Sequence, residues 1–296
     1  MKFPLPVAAL LAWLALPAFS QPALPDASLN LTLAAPVKTW DEAVPLGNGS
    51  MGLLLWGENN LIRLSLDRGD LWDERPSPAF VKVKSRFTWA EMQRMVAANQ
   101  MGEFNEVFDS NYKYDASPTK LPAGRVELTL DPSQKVESFE LNLATAEGVA
   151  RTASGGRLRA FVNAANVKEP VALIRIAGPP LKEVRLKSPE SVKLLGYAPA
   201  IPGEAEGCRW FEQAAADGFA YAVCAGWKRV GNETLVAVSV ATRAEGTSSS
   251  MPSRKPTPAR KIGAKTSFFP AILGAIIFEI GVSISICSSG RSRVTS

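Results

Sequence analysis

Short apolar segments in which every second residue faces the same way constrain this chain's fold more than any other sequence feature. In residues 61–67, Ile62, Leu64 and Leu66 alternate with neighbours that are mostly polar, and residues 126–130 and 158–162 repeat this period of two. Successive side chains of a strand point to opposite faces of a sheet, so this period indicates strands with one buried face. More continuous apolar runs predict further strands at residues 53–56, 171–176, 219–224 and 235–241.

The spacing of these segments indicates the fold class. Turn residues separate them at intervals of roughly 8–15 residues, which is typical of antiparallel sheets and too short for strands that alternate with crossover helices. We therefore expect residues 22–245 to form one mainly β domain, a large antiparallel β-sandwich with a core of its own.

One stretch breaks the strand pattern and predicts a short helical insertion. Thr88 can cap a helix that has Glu91 at its third position, which is the sequence pattern of a capping box. The apolar residues that follow recur at helical spacing and are expected to be buried core residues rather than a ligand site. They are Trp89, Met92, Met95 and Val96, with Phe104, Val107 and Phe108 in a second short helix.

The N-terminus has the pattern of a secretory signal peptide over residues 1–20. Lys2 precedes a ten-residue apolar run, and Ala18 and Ser20 form a small-residue cleavage site before Gln21. The alternative, a signal anchor that stays in the membrane, would need a longer apolar run of about 20 residues. We expect cleavage and a periplasmic or extracellular location.

The C-terminal composition changes abruptly after Glu245. Residues 246–267 are rich in Ser, Pro, Lys and Arg, which is typical of a disordered linker. Residues 268–287 are apolar except for Glu279 and are long enough to cross a bilayer, and a short tail of residues 288–296 follows. Two interpretations stand: a membrane anchor that associates the chain with a membrane, or the product of a frameshifted reading frame.

The positive charge of the chain belongs to this C-terminal part. The whole chain carries a formal charge of +5, and residues 246–296 contain seven basic residues and one acidic residue. The remainder therefore has a net charge of −1, or about −2 once Lys2 is removed with the signal peptide. A nucleic-acid partner would require a basic face on the folded body, so we expect none.

The residue types that the chain lacks restrict its chemistry. It contains no His, which excludes Ser-His-Asp and Cys-His catalysis within the chain, and we expect neither a metal site nor a cofactor. Cys208 and Cys224 lie in neighbouring strand-like segments, where an oxidising compartment would allow a disulfide that closes a loop of about 17 residues. The alternative is two separate buried thiols.

Two acidic and aromatic segments contain the candidate ligand-binding residues. Residues 40–52 combine an indole, carboxylates and an amide with three glycines, and residues 67–76 again place Asp, Trp and Glu at the end of a strand. Indole faces stack on sugar rings, and carboxylates and amides bind hydroxyl groups. The candidate carbohydrate-binding residues are thus Trp40, Glu42, Asn48 and Trp72, with structural turns as the alternative interpretation of both segments.

The same segments resemble a known family. The pattern Trp40-x-Glu42-Ala43-x-Pro45-Leu46-Gly47-Asn48-Gly49-x-Met51-Gly52, followed by an apolar strand and by Leu64-x-Leu66-Asp67-x-x-x-Leu71-Trp72, is similar to the N-terminal domain of glycoside hydrolase family 95. That family includes α-L-fucosidases and α-L-galactosidases. Residues 88–108 and 121–128 also fit, so the resemblance covers about residues 28–245. The sequence at positions 67–70 departs from the fucosidase form, in which Asn-Glu-Asp is usual.

The resemblance implies a β-sandwich that is followed by an (α/α)6 barrel holding the catalytic acid and base. Residues 246–296 do not fit such a barrel, so no catalytic residue can be assigned in this chain. Three hypotheses follow: a truncated glycoside hydrolase that is inactive alone, a membrane-anchored carbohydrate-binding module, and a structural sandwich without a ligand.

Overall fold

The protein is mainly β in the computed structural model, which describes residues 23–109, 118–165, 167–178, 180–242, 284–286 and 292–294. All strand pairs are antiparallel. In chain order, the strands are β1 (Leu31–Ala34), β2 (Val44–Gly47), β3 (Met51–Glu58), β4 (Leu61–Arg68), β5 (Trp72–Asp73), β6 (Thr119–Lys120), β7 (Gly124–Leu130), β8 (Val136–Asn142), β9 (Glu147–Thr152), β10 (Arg157–Val162), β11 (Val171–Ala177), β12 (Leu181–Lys187), β13 (Ile201–Ala205), β14 (Cys208–Ala214), β15 (Ala220–Val230), β16 (Glu233–Thr242), β17 (Ile284–Ile286) and β18 (Ser292–Val294).

The strands form two large sheets and two small ribbons. The larger sheet has nine strands in the order β1-β8-β9-β10-β11-β16-β15-β14-β13, and the smaller has five in the order β12-β7-β4-β3-β2. Strands β5 and β6 form one ribbon, and β17 and β18 form the other. In the nine-stranded sheet, β16 lies between β11 and β15 and so joins two groups of strands that are distant in sequence.

The two large sheets pack face to face through one apolar core. The five-stranded sheet contributes alternate residues such as Leu55 and Leu64, and the nine-stranded sheet contributes Phe139 and Val238. Gly148 of β9 lies in this interface, where an added Cβ would lie 2.8 Å from a methyl group of Leu46 and 3.1 Å from one of Leu55. This arrangement is the antiparallel sandwich that the sequence predicted.

The predicted strands are confirmed at their expected places. Strand β4 extends the predicted strand at residues 61–67 by one residue, and β3, β11, β15 and β16 contain or nearly contain the apolar runs. The alternation also gives the correct inward faces, because Ile62, Leu64 and Leu66 are all buried.

The helical insertion is confirmed between β5 and β6. It contains α1 (Pro78–Val83), α2 (Trp89–Ala97) and α3 (Met101–Phe104), followed by a π-helical turn at Asn105–Asp109. The amide of Glu91 donates to the hydroxyl of Thr88 over 3.2 Å, as the predicted cap requires. Short 3₁₀ helices lie elsewhere at Ala27–Leu29, Trp40–Glu42, Lys84–Arg86, Glu190–Leu195 and Ala216–Gly218.

The prediction that the whole apolar face of α2 is core is wrong at two residues. Met95 is fully buried against Val107 and Phe108, but Trp89 and Val96 are 70% and 54% exposed. The insertion packs around a small core of its own and does not contribute to the sandwich core. Only part of the surface of α2 is needed to cover this small core, and Trp89 and Val96 lie outside that part.

The expectations for the chain ends fall outside the described residues. The signal peptide at residues 1–20, the domain boundary at Glu245 and the linker at residues 246–267 stay predictions, as does the apolar segment at residues 268–287 apart from the strand Ile284–Ile286. Among the described residues, no helix has the length and apolar character needed to cross a membrane.

Cys208 and Cys224 meet as predicted, on the adjacent strands β14 and β15. Both are buried free thiols with their sulfur atoms 3.2 Å apart. The hydrogen bond from Cys224 lowers the pKa of the Cys208 thiol, and the same contact together with burial raises the pKa of Cys224 well above its usual value. Cys208 is therefore the thiol that ionises first, and the disulfide stays a prediction.

Phe139 fills the centre of the inter-sheet core, so its removal should be costly. Phe139→Ala should lower the free energy of unfolding by about 3–5 kcal/mol, since a large buried ring would be replaced by a cavity. Urea unfolding followed by tryptophan fluorescence measures the change. Phe161→Ala is the matched control, because this ring is 37% exposed, and its loss should be less than half as large.

Oxidation should join the two buried thiols. Treatment with diamide should remove two titratable thiols and raise the free energy of unfolding by about 3 kcal/mol, because the bond restricts the unfolded chain. Thiol titration and urea unfolding with and without dithiothreitol measure both effects. Cys208→Ser should abolish the stabilisation, and a wild-type chain that retains both thiols after unfolding in diamide and refolding would contradict the disulfide.

Candidate functional site

The Gly-Asn-Gly block forms the hairpin turn between β2 and β3. The Oδ1 atom of Asn48 accepts hydrogen bonds from the amides of Ser50 and Met51 over 3.0 and 2.9 Å, and Gly49 has a φ of 88°. The Nδ2 atom of Asn48 donates to the carbonyl of Asn163 over 2.8 Å, which ties the hairpin to the loop after β10. Asn48 thus has a structural role, and its predicted contact with a carbohydrate stays a prediction.

Trp40 lies before this hairpin, in a 3₁₀ helix that ends at Glu42. Its side chain is 63% exposed, and its ring makes no stacking or cation–π contact with any described residue. Glu42 is exposed beside it in the chain. An indole that is mostly accessible to water is available to stack on a ligand.

Trp72 lies on the short strand β5. Its indole nitrogen donates to the carbonyl of Gly69 over 3.1 Å, and its side chain is 46% exposed. Strand β5 pairs with β6, which places Trp72 opposite Lys120. Of the four candidate carbohydrate-binding residues, only Trp40 lines a large groove that the described residues form on the five-stranded sheet.

This groove, the outer groove, lies on the face of the five-stranded sheet that points away from the core and has a volume of about 1070 Å³. One row of directly paired residues crosses all five strands along its floor. The row consists of Pro45, Leu54, Ser65, Arg125 and Lys187.

Three pieces of the chain form the walls of the outer groove. Trp40 stands at one side, and the segments 120–124 and 187–191 contribute the others. The volume lies slightly above the range of about 300–1,000 Å³ that is usual for small-molecule sites. The groove is partly open to solvent, so it can accept an extended ligand.

The polar groups of the outer groove are held by neighbours. The Lys120 ammonium lies 2.8 Å from the Asp67 carboxylate and also donates to the carbonyl of Leu71 over 3.4 Å. The hydroxyl of Ser65 accepts a hydrogen bond of 3.0 Å from the indole of Trp56, which lies on the same outward face of the sheet and is buried there with the guanidinium groups of Arg63 and Arg125 4.8 and 5.6 Å from its ring. This leaves the hydroxyl hydrogen of Ser65 able to donate into the groove.

The carboxylates of residues 67–73 do not form a catalytic pair. Asp67 is paired with Lys120, and Asp70 accepts two hydrogen bonds of 2.8 and 3.1 Å from the buried guanidinium of Arg68. Asp73 is paired with Arg75, whose hydrogen bonds hold the pKa of Asp73 below its usual value. A general acid in sugar hydrolysis needs a raised pKa, so this environment does not suit Asp73 to that role.

Asp73 instead positions one wall of the outer groove. Its buried carboxylate accepts a hydrogen bond of 2.7 Å from Arg75 and one of 2.5 Å from the hydroxyl of Tyr197. Arg75 also donates to the carbonyl of Leu195 over 3.2 Å and lies 4.9 Å from the centre of the Tyr197 ring. Burial and the contact with Asp73 raise the pKa of Tyr197 to about 12, so the hydroxyl stays protonated as a donor. The cluster anchors the segment that follows β12.

Sequence reasoning missed most of the residues in this groove. The period of two in β4 places Ser65 on the outward face, so this position could have been found. Arg125, Lys187 and Lys120 come from other parts of the chain and meet Ser65 only through strand pairing, which no local pattern specifies.

Comparison with known proteins supports a relationship to glycoside hydrolases. Residues 31–177 match the family model described as glycosyl hydrolase family 65, N-terminal domain, a region that runs from β1 to the end of β11. The chain is also similar to Alpha-L-fucosidase 2 of Arabidopsis thaliana, with 26% identity over 118 residues. That match covers 35% of this chain and 14% of the relative, so the chain corresponds to a small part of it.

The matched family model is that of family 65, whereas the sequence analysis named family 95. Both assignments indicate a glycoside hydrolase-related N-terminal domain, and the chain contains such a domain. Most of the outer groove lies inside the matched region, and the wall at residues 187–191 lies beyond it.

Removal of the Asp73 carboxylate should loosen the groove wall. Asp73→Asn should lower the free energy of unfolding at pH 7 by about 1–3 kcal/mol, because Arg75 and Tyr197 lose their shared acceptor. Folding lowers the pKa of Asp73. The charged carboxylate therefore contributes fully to the free energy of unfolding at pH values above its unfolded pKa near 3.8, and this contribution is lost as the pH falls through its folded pKa.

Urea unfolding between pH 2 and pH 7 measures this effect. The difference in the free energy of unfolding between wild type and Asp73→Asn should be constant above about pH 5 and should disappear as the solution is acidified. Glu183→Gln, which alters the exposed pair with Arg185, is the control and should have little effect. A gap that persists at pH 2 would contradict the role assigned to the Asp73 charge.

Proposed function

We propose that the chain is the N-terminal β-sandwich module of an exported glycoside hydrolase that acts on α-linked sugars of the fucose or galactose type. The match of residues 31–177 to an N-terminal domain of glycosyl hydrolases is the observation that carries this proposal. The similarity to a protein named Alpha-L-fucosidase 2 supports the sugar class, and the resemblance of residues 40–72 to family 95 supports it independently.

The module by itself has no activity in this proposal. Each Asp in residues 67–73 is bound to a cation of the same module, and the chain has no His. A hydrolase needs a pair of carboxyl groups across the glycosidic bond, one of which must hold a proton. In the family 95 resemblance, that pair belongs to a barrel domain beyond the sandwich.

A membrane-anchored carbohydrate-binding module is the second candidate function. An open groove with an exposed indole at its edge favours the carbohydrate-binding part of this alternative. The anchor part depends on residues 268–287, of which the structure describes only Ile284–Ile286. Extraction of the expressed chain from membranes with and without detergent separates the two candidates.

The isolated chain should release no nitrophenol from 4-nitrophenyl α-L-fucoside or 4-nitrophenyl α-L-galactoside. The physical reason is that the carboxylates of the described segment 67–73 are each ion-paired within the module, which does not suit them to act as an acid and base pair. Arabidopsis Alpha-L-fucosidase 2, assayed in parallel on the fucoside, is the positive control. Turnover that persists after removal of contaminating activities would refute the proposal that the module is inactive.

The genomic DNA beyond the last codon tests the rest of this proposal. In one of the three forward reading frames, we expect a sequence that encodes a helical barrel with candidate acid and base residues. Non-coding DNA or an unrelated gene at this place would count against a glycoside hydrolase parent.

A further inference from the structure

The outer groove has the features of a binding site for an extended ligand rather than of a sheet surface exposed by chance. The row on its floor changes from apolar to polar along its length: Pro45 and Leu54 come first, then Ser65, then Arg125 and Lys187. Trp40 adds an exposed aromatic face at the apolar end. An apolar surface with a few placed polar groups is the usual composition of a small-molecule site.

The chemistry of the groove matches a sugar better than a protein or a nucleic acid. Sugar rings have apolar faces that stack on indoles and hydroxyl groups that bond to carboxylates, ammonium groups and hydroxyls; Trp40, Asp67 and Ser65 supply such partners. A nucleic acid would need a strongly basic surface, but Asp67 and Glu190 balance part of the positive charge. A protein partner would need a contact of about 800 Å² on this side, which is more surface than the lining of the groove exposes.

We propose that the outer groove is a binding site for a short neutral oligosaccharide, with one pyranose ring stacked on Trp40 and the following rings over Leu54 and Ser65. This inference rests on the proposed function for the class of ligand and extends it with a place on the sandwich where that ligand binds. The volume of about 1070 Å³ suits a chain of a few sugar rings rather than one.

Gly52 offers a way to test the groove without the removal of any side chain. This residue faces outward from β3 between Gly47 and Asp67, and a Cβ added there would meet atoms no closer than 3.9 Å. Gly52→Val should therefore fold normally, since β-branched residues suit strands, while its methyl groups occupy the floor of the groove.

The experiment measures binding of 2′-fucosyllactose, globotriose and, as a glucose-only trisaccharide, cellotriose to the full chain by saturation-transfer NMR and isothermal titration calorimetry. We expect at least one trisaccharide to bind the wild type with a Kd in the millimolar range or tighter. Trp40→Ala and Gly52→Val should each weaken that binding by about tenfold or more.

Trp89→Ala is the matched control, because Trp89 is also a highly exposed indole but lies on α2 and does not line the groove. Its binding should equal that of the wild type. Thermal melts of all three variants confirm that they are folded before binding is measured.

Three outcomes would overturn the inference. These are the absence of binding by all three trisaccharides, an equal loss in Trp89→Ala, and a loss in Trp40→Ala with none in folded Gly52→Val, which would place the contact outside the groove. Failure of the proposed function is distinct: turnover of the nitrophenyl sugars would refute inactivity, and trisaccharide binding without turnover supports both proposals.

Discussion

The packing of the apolar faces of the two large sheets against each other is the interaction on which the rest of the molecule depends, because it forms one continuous core. Gly148 of β9 lies in this interface, where an added Cβ would approach methyl groups of Leu46 and Leu55 to 2.8 and 3.1 Å, so these side chains would have to shift. Strands of the five-stranded sheet such as β4 then have one face in the core and the other available for polar side chains, whereas β15 and β16 are buried on both faces over most of their length.

The fold could be predicted from the sequence because the sandwich imposes a local pattern on each strand. Leu64 and Val126 are buried at the alternate positions where the period of two places them. The same logic failed for Trp89 and Val96, because a helix packed on a small local core needs a narrower apolar stripe than one packed on a sheet. Helical spacing alone does not distinguish these two situations.

The candidate site was less predictable, for a different physical reason. Trp40 could be selected because an indole among glycines and carboxylates is conspicuous in a sequence. Its partners Ser65, Arg125 and Lys187 are brought together by register across β4, β7 and β12. Asp73 also could not be selected from local sequence, where it is one of several acidic residues near a strand end. Its contact with Tyr197, 124 residues away, identifies it as an anchor of the groove wall.

The place of β16 between β11 and β15 has a consequence for the order in which this protein can be assembled. Residues 1–230 contain two separate groups of strands of the nine-stranded sheet, one ending at β11 and the other at β15. The facing edges of these two strands are unpaired until β16 has been made. Strand β16, which has ten residues, pairs with both edges, with β11 on one side and β15 on the other. The edge of β11 thus stays unpaired from residue 177 until Glu233–Thr242 has been made, whereas the edge of β15 is open only briefly, so the risk of aggregation lies mainly with β11.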